Sequence, residues 1–115
     1  MSRGATGARE DARYDGRKME RPHRLDRPTL DAWCAEHPHW ELQGTEALVR
    51  TFAFADFASA LAFVVEVGCH AEKRDHHPDV ELGWGRARLR WSTHDAGGIT
   101  TLDLELAELS DKLTG

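Results

Sequence analysis

Cysteine is nearly absent from this chain, and so are the features that would place it at a membrane or on nucleic acid. Cys34 and Cys69 stand far apart, with no metal-type spacing around either. That excludes a disulfide framework and reads as two free thiols in a reducing cytoplasm. No apolar run approaches the roughly 20 residues that a membrane-spanning helix needs; the longest, residues 58–67, is interrupted by Ser59 and Glu66. There is no basic excess: 15 Lys and Arg against 20 Asp and Glu leave a net charge of −5. A nucleic-acid surface usually announces itself by a basic domain, so that class is set aside. The first residues lack the apolar core of a secretory signal. Internal repeats and low-complexity blocks are also missing.

What is present is enough for one folded domain. At 115 residues, with 40% hydrophobic residues and four Trp, the chain can build one real core but not two. Residues 1–24 differ from the rest. They are rich in Arg, Gly, Ala and acids, and Tyr14 and two Met are their sizeable apolar groups. Such a segment cannot bury enough surface to offset the entropy of ordering, so it reads as a flexible tail. A transit peptide is the alternative, but Glu10, Asp11, Asp15 and Glu20 count against it. The ordered domain is expected over residues 25–115.

Within that domain the punctuation is regular. Thr29 or Asp31 can cap a short helix through Leu30, Trp33 and Cys34, ended by Pro38. Residues 40–43 and 47–54 read as two strands joined by a turn at Gln43, Gly44 and Thr45. Asp56 caps a helix that is apolar almost all round and should be buried on more than one side, the extra face serving as a subunit interface. Residues 72–79 are expected as the loop after it. A second strand pair follows from Val80, broken near residues 83–85. In it Ala87, Leu89 and Trp91 alternate with Arg86, Arg88 and Arg90, which predicts one buried and one wet face. This strand is also a candidate open edge. After a loop over residues 95–98, Thr100 and Asp103 have capping-box spacing, and Leu102, Leu106, Leu109 and Leu113 form a helical stripe. The predicted fold is α+β: a four-stranded, mainly antiparallel sheet with three helices packed on one face, in the order α-β-β-α-β-β-α.

The chemistry concentrates in Glu72, Asp75, His76, His77 and Pro78, followed later by His94 and Asp103. Imidazole is the side chain whose unperturbed pKa, about 6.5, lets it donate and accept protons near neutrality. Three such groups with carboxylates nearby point to acid–base catalysis on a small molecule.

The full spacing is Glu72, three residues, His76-His77-Pro78, five residues, Trp84, nine residues, His94, eight residues, Asp103. It closely resembles the signature of the pterin-4a-carbinolamine dehydratase family, and Ser92-Thr93-His94-Asp95 resembles that family's substrate loop. The resemblance covers about residues 25–113. It implies dehydration of a 4a-hydroxytetrahydropterin to the quinonoid dihydropterin, in tetrahydropterin recycling, without metal or organic cofactor. It also implies that His76 and His94 are the acid–base pair and that His77 positions substrate or assists. Glu72 and Asp75 would orient imidazoles, and Asp103 would sit behind the site at a helix start. Ser92, Thr93 and neighbouring backbone groups, with Asp95 and Pro78 close by, would face the pterin. The expected partners are a pterin substrate and further copies of the chain, as homodimer or homotetramer, in the cytoplasm. One departure from the family pattern is Leu102, at a position often basic in well-known members; its spacing with Leu106 predicts that it packs inward.

Plainer roles stand beside these. Pro78 can simply stop a helix, Glu72 and Asp75 can be a solvated charge run, and Asp103 suits a helix N-terminus through the dipole alone. Trp84 and Trp91 read as packing residues rather than platforms for a pterin, and His23, His37, His39 and His70 as incidental. Two other function classes remain open. One is a protein-interaction role, because the family includes members that bind a transcription factor. The other is metal binding, which adjacent histidines pointing apart make unfavourable.

Overall fold

Asp26 starts the first helix by accepting a hydrogen bond from the Thr29 backbone N–H at 3.0 Å, with Pro28 in the first turn. The structure, a computed structural model, describes residues 23–114; all but the last two residues of the predicted tail therefore lie outside the described residues. Helix α1 spans Arg27–Glu36, so its cap lies upstream of the predicted Thr29 or Asp31. Those two residues sit inside the helix, and Asp31 instead pairs with Arg27. The Cys34 thiol on this helix is pushed up by burial and by the neighbouring Asp31 charge, which disfavours the reactive thiolate.

Strands β1 (Glu41–Gln43) and β2 (Ala47–Ala53) form the first hairpin. Gly44, in the left-handed region at φ 59°, lies in the turn between them. Helix α2 (Phe57–Lys73) is capped by Asp56, whose carboxylate accepts from Ser59 N at 2.8 Å. Strands β3 (Asp79–Gly83) and β4 (Arg86–Trp91) make the second hairpin, and α3 (Thr101–Leu113) closes the domain with the expected capping box. The sheet order is β1-β2-β4-β3, antiparallel throughout. The α+β architecture and element order are as the sequence reading has them.

Strand alternation decides the layers. Ala87, Leu89 and Trp91 on β4 and Leu48 and Phe52 on β2 are buried. They join Leu30, Phe63, Val67, Ala71, Ile99 and Leu106 in one core beneath the helices. Arg88 and Arg90 face the other way and pair with Glu81 and Asp79 across the strand. Leu102 packs against the core, as its spacing predicts.

Three further expectations are corrected. Strand β4 is not an edge; it lies between β2 and β3, and the edges are β1 and β3, because the second hairpin docks on the first through its later strand. Glu72 and Lys73 are not in a loop but form the end of α2, which runs two residues further than its apolar pattern. Trp84 does not pack: it sits 74% exposed at the tip of the second hairpin. Within the chain, α2 buries Ala60, Phe63, Val67 and Ala71. Phe57, Leu61 and Val65, four residues apart in turn, remain exposed within the single chain.

Candidate active site

The end of α2 aims the first histidine. Asp75 N donates to Glu72 O and His76 N to Ala71 O, both at 3.1 Å. Asp75 is left-handed at φ 51°. These bonds form a Schellman stop, which satisfies the last carbonyls of the helix and turns the chain sharply. Asp tolerates this conformation better than most residues. Pro78 then biases His77 towards extended backbone, where β3 begins.

His76 leaves this turn pointing into the domain. Its side chain is only 12% exposed, and Nε2 lies 2.6 Å from Oδ1 of Asp103, which is fully buried. With the carboxylate accepting, Nε2 carries the proton and Nδ1 is the remaining ring nitrogen. The imidazole lies nearly parallel to the indole of Trp91, 15° apart with centroids 5.9 Å apart. His77 turns elsewhere: its Nε2 meets Glu72 Oε1 at 2.7 Å on the surface. The two adjacent histidines thus serve different carboxylates.

Asp103 is held from several directions. Its Oδ2 accepts from Thr93 Oγ1 at 2.6 Å and from Thr100 N at 2.9 Å. Thr93 Oγ1 also meets Thr100 Oγ1 at 2.9 Å. Since Thr93 donates its one hydroxyl proton to Asp103, it accepts from Thr100 here. A buried carboxylate needs such complete pairing. Thr100 is a member of this network that sequence reasoning recognised only as a helix cap. The capping spacing to Asp103 was its visible signal; the contact with Thr93 had none.

The far wall is a small loop. Thr93 and Gly98 bridge it through Thr93 N to Gly98 O (2.9 Å) and Gly98 N to Thr93 O (3.3 Å). Between them His94–Ala96 form a 3-10 turn, followed by Gly97 at φ 75°. Ser92 Oγ donates to Glu46 O at 2.6 Å, tying the loop to the first hairpin. His94 is exposed, and no side chain among the described residues hydrogen-bonds its ring. Asp75, His76, His77, Ser92, Thr93, His94 and Asp95 together line one open cleft of about 240 Å³. Glu72 and Asp103 stand behind it through their histidines.

Other hollows are as large, but their groups are occupied. A cleft of about 450 Å³ lies beside Glu36, His37, Glu108, Asp111 and Lys112. There Glu108 accepts from Trp33 Nε1, and Asp111 accepts from Trp40 Nε1 and Arg50. Another of about 280 Å³ lies on the open sheet face around Glu41, Thr51 and Arg88. Of these three clefts among the described residues, the histidine cleft presents imidazoles from two separate segments.

Residues 23–113 match the family described as Pterin 4 alpha carbinolamine dehydratase. A Rhodospirillum rubrum protein named "Putative pterin-4-alpha-carbinolamine dehydratase" is 41% identical over 93 residues, covering 80% of this chain and 97% of that protein. A protein of the same name from Thermomicrobium roseum is 48% identical over 84 residues, covering 73% and 89%. Among solved structures, a transcriptional coactivator/pterin dehydratase from Brucella melitensis superposes with a TM-score of 0.76 at 31% identity, over 81% of this chain and all of that one. A pterin dehydratase-like RuBisCO assembly factor of the alpha-carboxysome shares the fold at TM-score 0.57 and 24% identity, over 66% of this chain and 89% of that one. Fold, signature spacing and these likenesses agree, and the chain belongs to the pterin 4 alpha carbinolamine dehydratase family.

Proposed function

We propose that this protein dehydrates a 4a-hydroxytetrahydropterin to the quinonoid dihydropterin by histidine acid–base catalysis, as a step in tetrahydropterin recycling. The observation that carries the reading is that His76 and His94, on separate loops, line the same cleft. In the reaction the C4a–O bond breaks and its oxygen leaves as water after taking a proton. N5 gives up its proton, and its electron pair forms the C4a=N5 bond. One imidazole supplies the first proton and another accepts the second, each transfer contributing roughly 10²–10⁴-fold. His76 and His94 are assigned to these transfers. His77, steadied by Glu72, positions substrate or assists. Asp103 orients His76, as a buried carboxylate orients a catalytic histidine elsewhere.

The residues expected to face the pterin divide by what their groups already do. Ser92 keeps free lone pairs beside the cleft, and Asp75 and Asp95 shape its rim; Pro78, which is not among the lining residues, acts through the backbone of His77. Thr93 has its hydroxyl committed to Asp103 and its backbone to Gly98. Its part in this reading is therefore to lock the His94 loop onto the carboxylate behind His76. None of these steps calls on a metal or organic cofactor.

A second reading is favoured by the exposed Phe57, Leu61 and Val65 stripe. It makes the chain a non-catalytic interaction protein, resembling the coactivator and assembly roles in the names of its structural neighbours. The discriminating experiment generates a 4a-carbinolamine chemically and measures dehydration against the spontaneous background. Acceleration that disappears in the double variant His76→Ala with His94→Ala supports the enzyme. Wild-type protein that accelerates no reduced pterin moves the interaction reading ahead, with Leu102 at the usually basic position as the first suspect.

A further inference from the structure

We propose that Trp91 is a positioning residue for the reaction, its indole holding the plane of the His76 ring; this rests on the reading that His76 acts on the pterin. The hydrogen bond to Asp103 fixes the direction in which His76 Nε2 points but leaves the ring free to pivot about that line. A near-parallel aromatic face, 15° away in plane with centroids 5.9 Å apart, removes this second freedom. The separation is within the range of offset stacking. Trp91 is fully buried as the last residue of β4, directly before the Ser92-Thr93-His94 wall, so its movement is restrained by the core.

Stability alone does not select an indole at this place. Trp33 and Trp40 each give their N–H to a carboxylate. Trp91 Nε1 is buried with no hydrogen-bond partner among the described residues, a cost that phenylalanine or leucine would not carry. What tryptophan adds is a broad flat face beneath the imidazole. The charged and titratable groups around His76 are Asp103 from α3 and Asp75, His77, His94 and Asp95 around the cleft.

The test compares Trp91→Phe, which keeps an aromatic face, with Trp91→Leu, which keeps bulk without one. In the carbinolamine assay Trp91→Leu should lower kcat roughly 3- to 10-fold, the worth of one stacked pair, at nearly unchanged KM. Trp91→Phe should restore kcat to within about two-fold of wild type. A purely structural role would instead lower Tm and leave kcat per folded molecule unchanged; Trp91→Leu with wild-type kcat overturns the proposal. Fluorescence gives an independent readout, because an imidazole stacked on an indole alters its emission. The measurement uses a Trp33→Phe background, which removes the Trp33–His37 stack. There His76→Gln should change the emission while Trp91 is present and leave it unchanged once Trp91→Phe is also made. A His76→Gln effect of equal size without Trp91 would also overturn the pairing. If wild-type protein accelerates no dehydration while the fluorescence tracks His76, the dehydratase reading falls, and with it the reaction that Trp91 serves, but not the stack.

Discussion

The Nε2 of His76 and the Oδ1 of Asp103 lie 2.6 Å apart, although the two residues belong to different elements, the turn after α2 and the first turn of α3. The carboxylate is fully buried, and Thr93 and Thr100 occupy its other oxygen. Asp103→Asn puts an amide where donors converge on both oxygens, so its NH₂ either meets the Thr100 N–H or faces His76 and forces the ring into the other tautomer. The expected result is a loss of about 1–3 kcal/mol of stability, together with a lower kcat, because His76 loses its carboxylate partner. Chemical denaturation and carbinolamine kinetics on the same preparation check both.

His94 supports no described neighbour, so its removal separates chemistry from folding. His94→Ala should leave Tm near the wild-type value and lower kcat on the order of 10²-fold or more, with a smaller change in KM. The proposed mechanism needs one imidazole protonated and another neutral, so wild-type activity should follow a bell-shaped pH curve. A wild-type kcat in His94→Ala would remove it from the mechanism.

The His94 loop depends on Gly98. A Cβ there would come within 2.6 Å of the Thr45 carbonyl oxygen and of the Arg24 side chain. Arg24 can move, but the backbone oxygen of the first hairpin cannot easily do so, since it accepts from Ile99 N. Gly98→Ala should cost about 1–3 kcal/mol and reduce activity by displacing His94. Equal Tm and equal activity would contradict this placement.

The exposed Phe57, Leu61 and Val65 stripe and the unpaired outer edge of β3 favour self-association, as dimer or tetramer. Sedimentation at micromolar concentration should show more than one chain per particle, and Val65→Glu should shift the distribution towards monomer. A wild-type sample that is wholly monomeric would refute it.

At the start of α2 the Ser59 backbone and side-chain hydrogen bonds hold the Asp56 carboxyl below its ordinary 3.8. A depressed folded-state value stabilises above the ordinary pKa, and the contribution disappears as pH falls through the folded-state value. Asp56→Ala should therefore lower Tm at pH 7, and the gap to wild type should narrow in strong acid. A gap of constant size across that range would show that the charge plays no part.

The local pattern of the sequence by itself determined much of the backbone. The alternation from Arg86 to Trp91 reports a strand because side chains on a pleated chain change face at each step. Asp56, Thr100 and Asp103 mark helix starts because orphan N–H groups there need acceptors. The spacing of His76, His77, Trp84, His94 and Asp103 was enough to point to the family. Tertiary structure decided the rest. Nothing in residues 86–91 states that this strand is central, because a strand's neighbours are chosen by how two hairpins dock. Trp84 carries an apolar side chain that local reasoning buries, yet it occupies a hairpin tip beyond the reach of the core. The contacts of His76 with Trp91 and Asp103, and of Thr93 with Thr100 and Asp103, are likewise invisible to spacing. They arise only when β4, the turn after α2 and the start of α3 meet, and the buried carboxylate then gathers every donor within reach because leaving any of them unpaired away from water is costly.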